Sequence, residues 1–184
     1  MKQRIRENYL KIRKKKYFEL SKKNKIFIVK QIRKLCNKYK INKLALYYPI
    51  NYELNILSVT TDFKIKKLQT CLPVIERNNN MTFKEWKTEE PFHINRIGIL
   101  EPNNRNKKIK PQMILVPLVA YDKFKNRLGY GKGFYDKALK NISSDKLVTM
   151  LPKKNISSFS FAQIHDIKIG NVFTETEENY NGYN

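Results

Sequence analysis

The stretch Met113–Asp136, MILVPLVAYDKFKNRLGYGKGFYD, constrains the fold more than any other part of the chain. Met113–Tyr121 is apolar throughout and predicts a buried strand, closed by the polar loop that begins at Asp122. Gly129, Gly131 and Gly133 then alternate with other residues, and a helix is expected from Phe134. Alternating glycines let successive backbone N–H groups converge on one concavity, a nest suited to anions. A helix N-terminus directly behind it adds further N–H donors and the positive end of a dipole. Arg127 and Lys132 bracket the turn with cationic donors. The spacing lacks the four-residue gap and trailing hydroxyl of a P-loop, and also the G-x-G-x-x-G of a dinucleotide fold. The glycines alone also fit a plain, tight strand-to-helix connection.

The remainder reads as strands separated by helices. Lys43–Pro49 predicts a buried strand and Asn51–Thr61 a helix leading away from it. Lys67–Ile75 and Met81–Trp86 predict strands joined by a polar turn. Residues 88–112 carry Pro91, Pro102 and Pro111 and read as a long irregular connection of the kind that borders sites. Phe134–Asn141 predicts a short helix, and Leu147–Leu151 and Ile169–Phe173 two further strands. Ile5, Tyr9 and Ile12, then Ile28, Ile32, Leu35, Cys36 and Tyr39, have helical spacing, with Ser21 as the N-cap of the second helix. This alternation implies an α/β domain with a mainly parallel sheet. We expect one domain over residues 1–175, with a basic helical part over 1–42, and a polar tail over 176–184.

A formal charge of +22 first points to nucleic acid, because clustered cations neutralise phosphates. The first 43 residues hold 17 Lys or Arg against Glu7 and Glu19. Lys outnumbers Arg 30 to 8, however, and a surface selected for phosphate favours the bidentate Arg fork. Lys, Asn and Ile share A- and T-rich codons, so genome composition accounts for much of the basicity. A solvated basic surface is therefore expected, with no nucleic-acid partner and faster encounter with small anions. A mitochondrial transit peptide is the rival reading of the N-terminus, but the segment is poor in Arg and Ser and its pattern runs on into the domain. No apolar run approaches a membrane span, and a cytoplasmic location is expected. Cys36 and Cys71 are expected to be reduced and buried.

Arg127-Leu-Gly-Tyr-Gly-Lys-Gly-Phe-Tyr-Asp136, directly after Val116-Pro-Leu-Val-Ala-Tyr-Asp122, closely resembles the signature of the 5-formyltetrahydrofolate cyclo-ligases, also called 5,10-methenyltetrahydrofolate synthetases. Lys2-Gln-Arg-Ile-Arg6 resembles the family's opening element. Tyr48-Pro49 with Glu53, Cys71-Leu-Pro73 with Met81-Thr-Phe83, Ile97-Gly-Ile-Leu-Glu-Pro102, and His165-Asp166 with Val172-Phe-Thr174-Glu175 follow in the family's order. The chain departs from the family over residues 142–164, where Lys146–Leu151 has no glycine and Gln163 falls late. Phe134 stands where the family often has Tyr, which keeps a ring face and loses a hydroxyl.

The resemblance implies a three-layer, NagB/RpiA/CoA-transferase-like α/β fold. It implies that ATP phosphorylates the formyl oxygen of 5-formyltetrahydrofolate, that the exocyclic amine attacks the activated carbon, and that phosphate leaves. It places ATP against Lys2, Gln3, Arg4, Ile5, Arg6 and the run Arg127, Leu128, Gly129, Tyr130, Gly131, Lys132, Gly133, Phe134, Tyr135. It places the folate, possible polyglutamate tail included, against Tyr48, Glu53, Tyr130, Gly131, Lys132, Gly133 and Phe134. Arg127, Lys132 and Glu53 are the implied catalytic residues, and Asp136 and Asp166 the implied Mg2+ ligands. Each has a plainer reading: Asp136 as a first-turn carboxylate, Asp166 as a turn residue, Glu53 as an exposed helix glutamate, the aromatic rings as core. A monomer is expected. The competing function is a family member that has lost activity and binds RNA or acidic partners through its basic face. Its discriminator is salt-dependent binding to a random oligonucleotide.

Overall fold

The computed structural model describes residues 2–63, 68–88, 90–158, 160–161 and 167–174. Helix α1 (Lys2–Lys15) is followed by α2 (Lys22–Lys38), β1 (Lys43–Ala45) and α3 (Leu57–Phe63). Strands β2 (Gln69–Ile75) and β3 (Met81–Glu85) come next, then the small β4 (His93–Ile94) and β5 (Leu100–Glu101). The chain continues through β6 (Met113–Leu115), β7 (Ala120–Asp122), β8 (Arg127–Leu128) and α4 (Phe134–Ala138). It ends through β9 (Leu147–Met150), β10 (Ile156–Ser157) and β11 (Asn171–Phe173).

Six strands form the central sheet in the order β11-β9-β6-β1-β2-β3. All neighbours are parallel except the β2–β3 hairpin. Both faces are covered, as parallel sheets require. Leu44, Leu72, Met113, Leu115 and Val148 face the apolar stripe of α2 (Ile28, Val29, Ile32, Cys36) and Leu57 of α3. Their alternates Ala45, Cys71, Ile114 and Leu147 face Leu139, just beyond α4, and Tyr121 of the smaller sheet. Ser21 caps α2 through a reciprocal pair with Asn24: its hydroxyl accepts the Asn24 N–H at 3.2 Å, and Asn24 Oδ1 accepts the Ser21 N–H at 3.1 Å. Helix α1 lays Ile5 and Tyr9 on Val119, Ala120, Leu128 and Phe161. Both cysteines are buried and unpaired. No helix among the described residues is long and apolar enough to cross a membrane.

Several elements differ from expectation. The helix expected over Asn51–Thr61 begins only at Leu57. Before it, Asn51 and Tyr52 adopt φ values of 48° and 63°. This left-handed turn replaces the first helical turn and aims Glu53 inward rather than to solvent. Strand β1 ends at Ala45 rather than Pro49. The proline-rich connection holds the β4–β5 hairpin. The expected strand Met113–Tyr121 is two strands in two sheets, β6 in the central one and β7 in a three-stranded sheet with β10 and β8. Pro117 has no N–H to give a ladder, so pairing stops there.

That interruption leaves four buried carbonyls without strand partners, and side chains take them all. Thr149 Oγ1 donates to Val116 O at 2.8 Å and Arg127 Nη1 to Pro117 O at 3.0 Å. Arg13 Nη2 donates to Leu118 O and, at 2.9 Å, to Val119 O. Asn155 Nδ2 also reaches Val119 O, at 2.8 Å. The broken strand is thus what draws two arginines into the interior.

Candidate active site

From β1 the chain moves to β2 on one side of the sheet and later to β6 on the other, so β1 and β6 flank a switch point. Ligands of open α/β sheets bind beyond the carboxyl ends of the strands at such a point. Here a cavity of about 450 Å³ opens, within the ordinary range for a small-molecule site. Tyr47, Tyr48 and Glu53 follow β1, Leu72 and Ile75 lie on β2, and Pro117 follows β6. The glycine turn from Tyr130 to Asp136 forms one rim, and Ile97 to Glu101 the other.

The polar rim is built around Arg127, which is 5% exposed. Asp122 anchors the loop before it, its Oδ1 accepting the N–H groups of Phe124 and Asn126 at 2.9 Å each. One arm of the Arg127 fork holds Pro117 O, and the other donates to Asp136 Oδ1 at 2.7 Å. The guanidinium carbon lies 5.6 Å from the centre of the Tyr135 ring, within cation–π range. Arg127 Nε is buried without a hydrogen-bond partner. Gly131 and Gly133 have φ of 93° and 70°, a region that disfavours any side chain. Arg6 crosses from α1, donates from Nε to Gly129 O at 2.8 Å, and lies against Gly131.

Beneath this rim sits Glu53. Its Oε1 accepts the Tyr130 hydroxyl at 2.8 Å and lies 3.9 Å from Arg13 Nη1. Its Oε2 accepts the Ile50 N–H at 3.0 Å. Arg13 Nη1 in turn donates to the Tyr130 oxygen at 2.9 Å. Burial pushes the Glu53 carboxyl up to about 7, against the opposing pull of the Ile50 N–H, Arg13, Tyr130 and Arg127. Burial and the Glu53 charge raise the Tyr130 and Tyr47 hydroxyls, so both stay protonated donors at neutral pH.

The expected site residues are distributed as follows. Tyr48, Glu53, Arg127 and every residue from Tyr130 to Asp136 line the cavity. Lys132 is exposed at its mouth. Leu128 is buried behind the rim, and Gly129 lies between the guanidinium groups of Arg127 and Arg6. Of the opening element, Arg6 reaches the glycine turn. Gln3 instead bonds Glu7 along the helix at 3.0 Å, Arg4 is exposed, and Ile5 packs on the core. Lys2 is half-buried at the helix start. Asp166 and His165 lie outside the described residues, as does the tail from residue 175. Asp136 is 35% exposed at its side chain, and no cluster of three metal-binding side chains occurs among the described residues.

Arg13 belongs to no sequence motif, and Glu101 falls within the Ile97–Pro102 stretch without an assigned role. Arg13 shares one stripe of α1 with Arg6 and Tyr9, at i and i+7, and that spacing is its signal. Glu101 lines the apolar end of the cavity, and its Oε1 accepts the Ile75 N–H at 2.8 Å and Asn95 Nδ2 at 2.6 Å.

A glycine turn braced by two arginines over a largely apolar switch-point cleft defines the class: a mixed α/β protein with a mainly parallel sheet and a small-molecule-sized cleft. The chain belongs to the 5-formyltetrahydrofolate cyclo-ligase family, whose sequence pattern it matches over residues 1–174. It is 33% identical over 108 residues to the 5-formyltetrahydrofolate cyclo-ligase of Mycoplasma genitalium, covering 58% of this chain and 56% of that one. It is 31% identical over 104 residues to the Haemophilus influenzae 5-formyltetrahydrofolate cyclo-ligase, covering 53% of this chain and 56% of that one. The aligned part of the chain thus spans about half the length of these relatives. The fold resembles the 5,10-methenyltetrahydrofolate synthetase of Aquifex aeolicus with a TM-score of 0.78 at 25% identity, over 96% of this chain and 90% of that one. The Mycoplasma pneumoniae synthetase shares the fold with a TM-score of 0.66 at 21% identity, over 93% and 96% of the two chains.

Proposed function

We propose that this protein converts 5-formyltetrahydrofolate to 5,10-methenyltetrahydrofolate at the expense of ATP, releasing ADP and inorganic phosphate. The observation that carries the reading is one continuous cleft in which the Arg127 rim adjoins an apolar pocket holding Glu53. An amide-like formyl oxygen is a weak nucleophile, so the protein's task is positioning and charge neutralisation. Arg127, Lys132 and Arg6 with the N–H groups of the glycine turn oppose the charge spread over the transferring phosphoryl oxygens. Tyr48, Tyr130 and Phe134 bound the flat ring system. Glu53 meets the formyl or amine end.

Magnesium takes oxygen ligands and is commonly held by one or two carboxylates plus substrate phosphates. Asp136, part-exposed at the end of the glycine turn, is a donor of that kind, and Asp166 is the proposed second. When bound, the ion supplies further positive charge at the phosphates. Arg127 fixes one Asp136 oxygen and so sets the direction in which the carboxylate faces.

The test is an absorbance assay of the purified protein with 5-formyltetrahydrofolate, ATP and magnesium, following the conjugated methenyl product in the near ultraviolet. Product formation that requires all three components is expected. Its absence from a folded protein that binds ATP would overturn the reading.

A further inference from the structure

We propose that Arg13 is a positioning residue that fixes the proton order around Glu53, so that Glu53 presents an acceptor to the ligand and meets the amine of the substrate rather than its formyl oxygen. The inference rests on the folate reading of the cleft for its ligand, but not for its geometry.

The argument runs from donor to acceptor. A guanidinium has only donors, so the Tyr130 oxygen must accept from Arg13 Nη1 at 2.9 Å. The single hydroxyl proton of Tyr130 is then committed to Glu53 Oε1 at 2.8 Å. Glu53 Oε2 already receives the Ile50 N–H at 3.0 Å. Two protein donors thus engage one Glu53 oxygen each, and the Arg13 guanidinium lies 3.9 Å from Oε1, an arrangement that favours the carboxylate over the neutral acid. Arg13 itself has little freedom. It is 2% exposed, and its other nitrogen is held by the carbonyls of Leu118 and Val119. Replacing Tyr130's partner with a group that can accept would let the hydroxyl turn away, and Glu53 could then take up a proton and become a donor.

Charge acts in the same direction. Burial raises Glu53 towards neutrality, and Arg13 and Arg127 are the cations that oppose it. Tyr47, Tyr130 and Tyr135 also lie within its field and remain neutral. In cyclisation the amine nitrogen forms a bond to the activated carbon, the carbon–oxygen bond to phosphate breaks, and the amine gives up its proton. An ionised Glu53 accepts that proton. A protonated Glu53 cannot.

The experiment follows Glu53 directly. Protein carrying 13C at glutamate side-chain carboxyls is titrated by NMR, with Glu53→Gln assigning the resonance. The variants are Arg13→Met, Arg13→Lys and Tyr130→Phe. Loss of an opposite charge at this distance moves a carboxyl by about one pH unit or more. Arg13→Met is expected to raise the Glu53 midpoint by about that amount, with Arg13→Lys restoring part of it and Tyr130→Phe giving a smaller rise. The acidic limb of the kcat profile is expected to move with the NMR midpoint. An unchanged Glu53 midpoint in both Arg13→Met and Tyr130→Phe, or, where Arg13→Met does not fold, in both Arg13→Lys and Tyr130→Phe, would overturn the proposal and leave Arg13 as a brace for the broken strand. A shifted midpoint in a protein that makes no methenyl product would instead keep the Arg13–Glu53 relation and remove the folate reading.

Discussion

A side chain on Gly129 would begin 2.9 Å from one terminal nitrogen of Arg127 and 3.0 Å from the other. The glycine is therefore a space requirement imposed by the arginine. Its own φ is not left-handed, in contrast to Gly131 and Gly133. Gly129→Ala must displace the guanidinium and strain its bonds to Pro117 O and Asp136. A lost hydrogen bond to a charged group costs about 1.5–3 kcal/mol, so kcat/KM should fall roughly 10- to 100-fold. Steady-state kinetics with a thermal melt decide it. Wild-type kinetics would mean that Arg127 has room to move.

Arg127 itself should be less replaceable than its charge alone implies. A lysine has one nitrogen where Arg127 uses two, on Pro117 O and Asp136, and cannot span both. Arg127→Ala is expected to lower kcat by about 10²–10³-fold, in line with loss of a preorganised donor. Arg127→Lys should recover less than a tenth of the lost activity. Circular dichroism should show both folded. Near-normal turnover in either would remove Arg127 from the chemistry.

How far the sequence anticipates this site depends on how local each signal is. The Ser21 cap is legible because its partner Asn24 is three residues away. The glycine turn is legible because Gly131 and Gly133, with φ of 93° and 70°, occupy positions where a side chain is disfavoured. The break at Pro117 is visible as a letter, but eight apolar neighbours outweigh it, and only the second sheet shows where the chain goes. The turn at Asn51–Tyr52 leaves no such trace. Tyr has no preference for positive φ, so tertiary contacts such as Tyr17 against Tyr52, ring centres 5.8 Å apart, must hold it. Arg13 is hidden by company: one of 17 cations in 43 residues, it is distinguished by partners more than a hundred positions away.

Asp136 offers a separable test of the metal. The Asp136 side chain is 35% exposed, and an asparagine in its place still offers an oxygen to Arg127 Nη2. Asp136→Asn should therefore leave the melting temperature within a few degrees of wild type. Removing its charge should raise the magnesium concentration for half-maximal activity by about tenfold, if the carboxylate is a ligand. A magnesium titration at saturating ATP reads this out. An unmoved midpoint would leave Asp136 as a brace for Arg127.

Glu53 should leave a signature in stability as well as in turnover. Its folded carboxyl is raised from 4.5 to about 7, so the folded protein holds this proton more tightly than the unfolded chain. Wherever the folded state binds more protons, stability falls as pH rises. The contribution is fully present below about pH 4.5, declines as pH rises through the folded value near 7, and is gone above it. Glu53→Gln, which cannot ionise, should lack this slope. The difference in unfolding free energy between the two proteins should therefore change by on the order of 3 kcal/mol across that window, in favour of the variant at the alkaline end. Urea unfolding at half-unit pH steps measures it. Parallel curves would mean that Glu53 ionises as freely in the fold as in water, which the near-complete burial of its side chain argues against.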